Sequence, residues 1–292
     1  MEREYRPAGT LQLRYEDISQ DGRALLNSIP PALGAVWRTL LAEVPDAEVL
    51  QRRGILPILS RIRIDVTEHV VSPFRPCSVT GYGEQLRGVA DDYTRVLFNV
   101  HARISAKGGH AFFPGASSDT DLVGTMFAEH VFTRPFAPRE QRRVVPADIL
   151  AAGLLIEAEC PFERASTVIA EPEGATPIDA AFVRGDVPLA MGLMHTDANQ
   201  HVNSLTYPRL FEEALLRRLS ALGRPLAVRA RSLTIGYRRP SFAGDVLRVD
   251  TRLYERPAHG TQPAQIEALG VFAGLTEARE SGRVFVRLLL GP

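Results

Sequence analysis

The sequence predicts an α+β protein made of two tandem copies of one domain, each an antiparallel sheet wrapped around a single helix. Three observations lead to this prediction. The chain has 292 residues, which suits two domains better than one. Each half contains one strongly amphipathic helix, the first beginning at Pro31 and the second near Val202. Strand-like runs with glycine turns follow each helix, which indicates an internal repeat.

In the first half, residues 11–15 alternate between apolar and polar side chains, which is typical of a half-buried strand. The next helix begins at Pro31, because proline suits the first helical position, and its apolar residues repeat at helical spacing. A glycine turn joins the last two of the four strand-like runs that follow, at residues 58–71, 78–86, 95–106 and 110–113.

In the second half, the apolar residues of the helix again repeat at i, i+3 and i+4, which predicts one buried stripe. These residues are Tyr207, Leu210, Phe211, Ala214, Leu215, Leu219 and Leu222. Aligning the two halves by identical residues places Asp17 on Asp197 and Gln20 on Gln200. The strand-like runs of the second half then match those of the first and lie at residues 233–237, 246–254, 265–278 and 283–290.

We therefore predict an N-terminal domain over residues 1–130, a linker over residues 131–176 and a C-terminal domain over residues 177–292. Prolines and arginines early in the linker indicate exposed chain. Within the linker, residues 146–159 are predicted to form a helix, because apolar residues follow a proline at its start.

The composition excludes several classes of protein. Lysine plus arginine and aspartate plus glutamate both number 34, so the formal net charge is zero, which argues against nucleic-acid and membrane-surface partners. The two cysteines form no CxxC pair, so we expect neither a disulfide framework nor a zinc site. The longest apolar runs are too short to span a membrane. We expect a cytoplasmic protein with no metal and no cofactor.

Four polar residues alternate along the chain just before the second helix: Asp197, Asn199, His201 and Asn203. A helix amino terminus offers unpaired N–H groups and a partial positive charge, which can stabilise an oxyanion. A carboxylate beside these donors can act as nucleophile or general base. A capping role for Asp197 or Asn199, with His201 a packed histidine, is the alternative. A cap needs only one such residue, so the cluster favours a catalytic site.

Residues 197–207, D-A-N-Q-H-V-N-S-L-T-Y, resemble the D-x-N-x-H-V-N-N-x-x-Y signature of the hot-dog superfamily. The likeness is strongest to thioesterases that act on acyl groups bound to acyl carrier protein (acyl-ACP thioesterases) and to 4-hydroxybenzoyl-CoA-type thioesterases. Residues 233–247 are similar to the strand–turn–strand of that family, including its G-D turn. The resemblance covers residues 186–290 and, with the repeat, implies a double hot-dog fold.

The resemblance implies an acyl thioesterase that hydrolyses an acyl-CoA or acyl-ACP thioester. Asp197 is then the nucleophile or general base, Asn199 and His201 position it, and the substrate carbonyl faces the N–H groups of residues 201–203. The expected substrate-binding residues are Val202, Asn203, Tyr207, Arg238 and Arg239, the two arginines by meeting phosphates.

The sequence departs from the family pattern at two places. Acyl-ACP thioesterases carry a glutamate–cysteine pair after Y-R-R, whereas Pro240 and Ser241 follow here, so that relay cannot be carried over. In the alignment above, the first copy has Asp21 where the second has His201, and Arg23 where it has Asn203. We therefore predict that the N-terminal site is degenerate.

Three other functions remain open. The chain could be a double hot-dog acyltransferase/decarboxylase, a dehydratase of a polyketide or fatty-acid pathway, or a non-catalytic protein that binds acyl thioesters. An acyl carrier protein is a further candidate partner. The expected assembly is either a monomer whose two copies form a pseudo-dimer or a homodimer of double hot-dogs.

Overall fold

The computed structural model describes residues 4–43, 47–90, 93–109, 120–151, 153–258, 260 and 263–292. The chain divides into two compact units, Met1–Arg164 and Ala165–Pro292, and the boundary falls inside the predicted linker. The strand predicted at residues 110–113 lies outside the described residues. Within the described parts of the chain, no helix is long and apolar enough to cross a membrane.

The first unit is an antiparallel sheet with one long helix packed on it. The strand order is β1-β3-β4-β5-β2, and a short strand, β6, pairs in parallel with β3. Helix α1 contacts β1, β3 and β4. The strands are β1 (Arg6–Leu11), β2 (Leu56–Val66), β3 (Cys77–Ala90), β4 (Tyr93–Lys107), β5 (Thr120–Thr133) and β6 (Ala158–Pro161), and the helices are α1 (Pro31–Glu43), α2 (Ala47–Arg52) and α3 (Pro146–Leu150).

The close approach of α1 to the sheet depends on a glycine in β3. A Cβ atom at Gly81 would lie 2.5 Å from the Val36 side chain and 2.5 Å from the His101 carbonyl oxygen. Val36 is buried under this contact. Because glycine has no side chain at this position, α1 can pack directly on the strand and bury its apolar stripe.

The helix predicted over residues 146–159 is wrong beyond Leu150. Gly153 adopts a φ of 82°, a left-handed conformation that ends helices and suits glycine. The chain then becomes extended and forms β6. Ile149 and Leu154 nevertheless pack in the same apolar cluster with Ile55, so burial at these positions does not require a continuous helix.

The second unit repeats the arrangement. Its main sheet has the order β9-β12-β11-β10, and the short strands β7 and β8 both pair with β10. Helix α4 begins at Thr206, later than the predicted start near Val202. The elements are β7 (Thr176–Pro177), β8 (Leu189–Ala190), α4 (Thr206–Ala221), β9 (Arg229–Tyr237), β10 (Val246–Arg256), β11 (Gln265–Gly274) and β12 (Val284–Gly291).

Helix α4 buries the centre of the predicted apolar stripe against this sheet, whereas Leu222, the last residue of that stripe, is exposed. Tyr207, Phe211, Leu215 and Leu219 are all buried. Phe211 lies over Gly270 of β11, where an added Cβ atom would fall 2.2 Å from the ring. The prediction of an antiparallel sheet wrapped around one helix is therefore confirmed in each unit.

Candidate functional site

A tight hairpin stands immediately before α4. Thr196 and Val202 form an isolated antiparallel bridge. The Asp197 N–H donates to the His201 carbonyl (3.2 Å), and the Gln200 N–H donates to the Asp197 carbonyl (2.9 Å). Gln200 closes the turn with a φ of 64°, a conformation that costs a non-glycine residue roughly 1–2 kcal/mol. Such strain is concentrated at functional sites, which makes this hairpin a candidate.

The Asp197 carboxylate is fixed by the hairpin itself. Its Oδ1 accepts a hydrogen bond from the Asn199 N–H (2.8 Å), and its Oδ2 accepts one from the Asn203 side-chain amide (3.1 Å). Asn203 Oδ1 in turn accepts from the Leu205 N–H (2.8 Å), and its carbonyl accepts from the Thr206 N–H (3.0 Å). Asn203, rather than Asp197, thus accepts the N–H groups at the start of α4. It also connects the Asp197 carboxylate to the helix.

Two polar side chains of the hairpin remain available to a ligand. Asn199 is exposed and His201 is partly exposed. Within the described part of the chain, neither side chain makes a hydrogen bond, and the backbone N–H of His201 has no acceptor. An amide, an imidazole and a backbone donor therefore lie on the same hairpin as the fixed carboxylate.

Two of the three N–H groups expected to face a substrate carbonyl, those of Val202 and Asn203, are engaged elsewhere. The Val202 N–H donates to the Ser241 carbonyl (2.7 Å), and the Asn203 N–H donates to the His195 carbonyl (2.8 Å). Val202 is also buried. These bonds tie the hairpin to the chain before it and to the segment after β9, so neither group is free to stabilise an oxyanion.

Tyr207 lies beneath the hairpin. It is 2% exposed, and its ring packs edge-on against Phe272 at a centroid distance of 5.1 Å and against Tyr237 at 6.1 Å. Burial raises the pKa of the Tyr207 phenol, and its contact with the Ser241 side chain opposes that shift. Its location is that of a supporting residue rather than of a substrate contact.

Arg238 and Arg239 are exposed and hydrogen-bond to the turn before β12. The Arg238 guanidinium donates to the Glu280 carbonyl (2.6 Å), and that of Arg239 donates to the Ser281 carbonyl and to the Glu277 carboxylate (3.3 Å). Among the described residues, no hydrogen bond joins either arginine to the hairpin. The structure brings Asp197, Asn199, His201 and Asn203 together on one hairpin, whereas the described side-chain hydrogen bonds of these two arginines go to residues 277–281.

Two residues that the sequence analysis did not assign to the site are notable: Tyr237, which contacts the segment after the hairpin, and Glu212, whose carboxyl has a raised pKa. The Tyr237 hydroxyl donates to the Ser204 carbonyl, next to Asn203 (3.0 Å). Glu212 of α4 is partly buried, and burial raises the pKa of its carboxyl to about 7, with Arg209 opposing the shift. In the sequence, Glu212 follows Pro208 by four residues. Because residues four apart lie on the same side of a helix, and Pro208 is buried, this spacing places Glu212 at the edge of the buried face.

The first unit contains the same hairpin in a different register from the one expected. The Ser19 N–H donates to the Arg23 carbonyl (2.8 Å), and the Gly22 N–H donates to the Ser19 carbonyl (2.9 Å). Gly22 has a φ of 81°, the counterpart of Gln200. Matching these bonds to the second hairpin places Ser19, Asp21, Arg23 and Leu25 on Asp197, Asn199, His201 and Asn203.

The alignment of Asp17 with Asp197 is therefore wrong by two residues. Asp17 occupies the place of His195: its carboxylate accepts the Arg14 N–H (2.9 Å), as the His195 Nδ1 accepts the Gly192 N–H (3.0 Å). The left-handed residue of the turn sets the register, and the alignment by identical residues did not include it.

The first hairpin satisfies its own polar side chains. Arg23 forms ion pairs with Asp21 and with Glu68, the latter at 2.8 Å. Ser19 Oγ accepts a hydrogen bond from the Arg23 N–H (3.2 Å). A hydroxyl thus replaces the acid of the second hairpin, and a neutralised guanidinium replaces its imidazole. No cluster of three or more His, Cys, Asp or Glu side chains that could hold a metal occurs among the described residues.

Solved structures with the same architecture match almost the whole chain. An acyl-ACP thioesterase from Bacteroides thetaiotaomicron aligns with a TM-score of 0.58 at 14% identity, covering 97% of each chain. The chain has the double hot-dog fold. Two further matches are 14% identical to this double hot-dog chain and cover 97% of it. One is a protein assigned as an oleoyl thioesterase from Lactobacillus plantarum, with a TM-score of 0.60 and 95% of its own chain covered. The other is a 12:0-ACP thioesterase from Umbellularia californica, with a TM-score of 0.55 and 96% of its own chain covered.

Part of the double hot-dog chain also matches a family by sequence. Residues 199–257 match the profile of the Thioesterase superfamily. This segment begins inside the second hairpin and continues through α4, β9 and β10. No curated protein sequence matches the chain significantly. The predicted fold is confirmed, and the family likeness falls on the half that holds the Asp197 hairpin.

Proposed function

We propose that the chain is an acyl thioesterase that hydrolyses an acyl-CoA or acyl-ACP thioester at the second hairpin. The observation that carries the proposal is the fixed Asp197 carboxylate beside the unengaged Asn199 amide and His201 ring. The match of residues 199–257 to the Thioesterase superfamily supports the reaction class. The three double hot-dog neighbours are themselves named as thioesterases, and two of them as acting on acyl-ACP.

Asp197 has the lone pairs that the reaction requires. Each of its oxygens accepts one hydrogen bond from the hairpin and keeps further acceptor capacity. As a general base it takes a proton from water while the water oxygen attacks the thioester carbon. The carbon–sulfur bond then breaks, and the thiolate takes that proton from Asp197 and leaves as the free thiol. As a nucleophile, the carboxylate attacks the thioester carbon, the carbon–sulfur bond breaks and the thiolate leaves; water then hydrolyses the mixed anhydride and regenerates the carboxylate.

The oxyanion requires donors, and the free groups of the hairpin supply them. The Asn199 amide, the His201 ring and the His201 N–H replace the engaged Val202 and Asn203 N–H groups in this role. Coenzyme A or an acyl carrier protein is the proposed thiol carrier. Its phosphates would be bound by Arg238 and Arg239, whose present acceptors are mostly backbone carbonyls on the protein surface.

A thiol-release assay over acyl-CoA and acyl-ACP substrates of graded chain length tests the proposal. The decisive variant is Asp197→Ser, because the first hairpin folds with Ser19 at the same position. We expect kcat to fall by roughly 100-fold or more, as for loss of a general base, with little change in melting temperature. Absence of thiol release by the wild type on every substrate would contradict the proposal.

A second candidate is non-catalytic binding of acyl thioesters. It is favoured by one observation: both Asp197 oxygens already accept hydrogen bonds within the hairpin, as in a purely structural turn. Isothermal titration with acyl-CoA distinguishes the two functions. Binding without thiol release, unchanged in Asp197→Ser, would replace the enzyme by a binding protein.

A further inference from the structure

A group of aromatic residues, of which Tyr207 and Phe272 are buried and Tyr237 is partly buried, supports the second hairpin from the side of the sheet. Tyr237, the last residue of β9, donates its hydroxyl to the Ser204 carbonyl (3.0 Å). The Tyr207 ring packs between Tyr237 and Phe272, and Phe272 is fully buried. The hydroxyl of Tyr237 thus connects a strand of the sheet to the Ser204–Leu205 peptide group, whose N–H donates to the Asn203 side chain.

This hydroxyl lies at one end of a short chain of hydrogen bonds. Ser204 follows Asn203, whose side chain donates to Asp197 and accepts from Leu205. The Asp197 carboxylate then accepts from the Asn199 N–H. A movement of residues 203–205 therefore shifts the Asn203 amide, which changes the orientation of the Asp197 carboxylate. The carboxylate in turn holds the Asn199 backbone N–H, so the position of Asn199 changes as well.

The Tyr237 hydroxyl is suited to hold a position rather than to exchange a proton. Burial raises the pKa of this phenol, and the neighbouring Tyr207 phenol raises it further. It therefore stays a neutral donor throughout the neutral pH range. Its single acceptor is a backbone carbonyl, which does not titrate.

We propose that Tyr237 is a positioning residue of the thioesterase site. The inference rests on the proposed function and deepens it. Tyr237 does not touch the substrate; it fixes the Ser204 carbonyl so that the Asn203 amide holds the Asp197 carboxylate in one orientation. The orientation of the Asp197 carboxylate then depends on one hydroxyl group outside the hairpin.

The test compares Tyr237→Phe with Tyr254→Phe. Tyr254 is a matched control, since it is a buried tyrosine of the same unit whose hydroxyl lies 3.5 Å from the Glu171 carboxylate, an acceptor outside the hairpin. Amide hydrogen exchange is measured first, without substrate. We expect exchange in residues 195–206 to rise roughly tenfold in Tyr237→Phe alone. Exchange in β10, β11 and β12 should match the wild type in both variants.

Steady-state kinetics on the best substrate follow. We expect Tyr237→Phe to lower kcat roughly tenfold, leave KM within about twofold and preserve the shape of the pH–rate profile. Tyr254→Phe should keep wild-type turnover and share the same small loss of melting temperature.

Three results would overturn the inference while leaving an active thioesterase: unchanged exchange in residues 195–206, unchanged kcat, or the loss of one limb of the pH–rate profile in Tyr237→Phe. The last would make Tyr237 an acid or base instead. If the wild type releases no thiol, the proposed function fails, and a positioning role in catalysis fails with it. The two failures are therefore distinguishable by the wild-type assay.

Discussion

Asn203 differs in kind from the residue at the same place in the first hairpin. Its side chain donates to the Asp197 carboxylate and accepts the Leu205 N–H, while its backbone N–H donates to the His195 carbonyl. The first hairpin has Leu25 there: its N–H makes the equivalent backbone bond, to the Asp17 carbonyl (2.9 Å), and its apolar side chain can make no hydrogen bond. The side-chain amide is therefore specific to the hairpin that carries the Asp197 carboxylate.

A second residue-scale feature is a buried histidine in the first unit. His130 is 6% exposed, with its Nδ1 3.1 Å from the Phe98 carbonyl oxygen and its ring 5.2 Å from that of Trp37. Burial lowers the pKa of His130 from 6.5 to about 4. The folded state thus favours the neutral His130 ring. The contribution of this preference to the free energy of unfolding is complete above pH 6.5 and is lost as the pH falls toward 4.

We therefore predict that His130→Gln reduces the acid sensitivity of the protein. The shift corresponds to about 3 kcal/mol. Between pH 7 and pH 4, the free energy of unfolding of the wild type should fall by about that much more than the free energy of the variant. Urea denaturation at both pH values measures the difference. Equal losses in the two proteins would show that His130 does not cause it.

At the scale of elements, the close contact between α4 and β11 leaves no room for a side chain at Gly270. Gly270→Ala places a methyl group where the Phe211 ring lies, so either the helix or the ring has to move. We expect a loss of roughly 1–3 kcal/mol in the free energy of unfolding. Turnover should fall as well, because the hairpin leads directly into α4. Denaturant melts and thiol release measure the two effects.

Gly34→Ala is the control for a glycine that has room. On α1, the nearest atom to an added Cβ is the Arg38 guanidinium at 3.8 Å. Because alanine favours the helix more than glycine, we expect a gain of roughly 0.5–1 kcal/mol. A similar change in stability from both substitutions would contradict the packing argument.

The helices and the sheets could be predicted because burial leaves a periodic pattern in the sequence. The α1 and α4 stripes follow from that pattern, whereas the helix predicted over residues 146–159 does not exist beyond Leu150. Ile149 and Leu154 are both packed in one cluster, yet Gly153 breaks the helix between them. Periodicity reports which residues are buried, and it does not report which backbone conformation buries them.

That four polar residues gather on one hairpin was predictable, but their hydrogen bonds were not. Asp197, Asn199, His201 and Asn203 do gather on one hairpin, as their alternation indicates. The engagement of the Val202 N–H by Ser241 depends on a contact between segments distant in sequence, which no local pattern records. The register of the first hairpin depends on the positive φ of Gly22, which an alignment of identical letters ignores.

For the whole molecule, the two hairpins predict one working site per chain. Ser19→Ala and Asp17→Asn alter the first hairpin, in which Arg23 is already neutralised by Asp21 and Glu68. We expect both variants to keep kcat within about twofold of the wild type, whereas Asp197→Ser should lose roughly 100-fold. Steady-state kinetics with melting temperatures for all three variants test this. A loss in Ser19→Ala as large as that in Asp197→Ser would mean that the first hairpin takes part.

The two hairpins share one backbone but carry different side chains. The same turn, with the same internal backbone hydrogen bonds, holds Ser19, Asp21, Arg23 and Leu25 in one unit and Asp197, Asn199, His201 and Asn203 in the other. For protein engineering, the first hairpin is therefore a scaffold with the required backbone conformation. A second copy of the candidate site can be designed there by replacing four side chains, without redesign of the loop: Ser19, Asp21, Arg23 and Leu25.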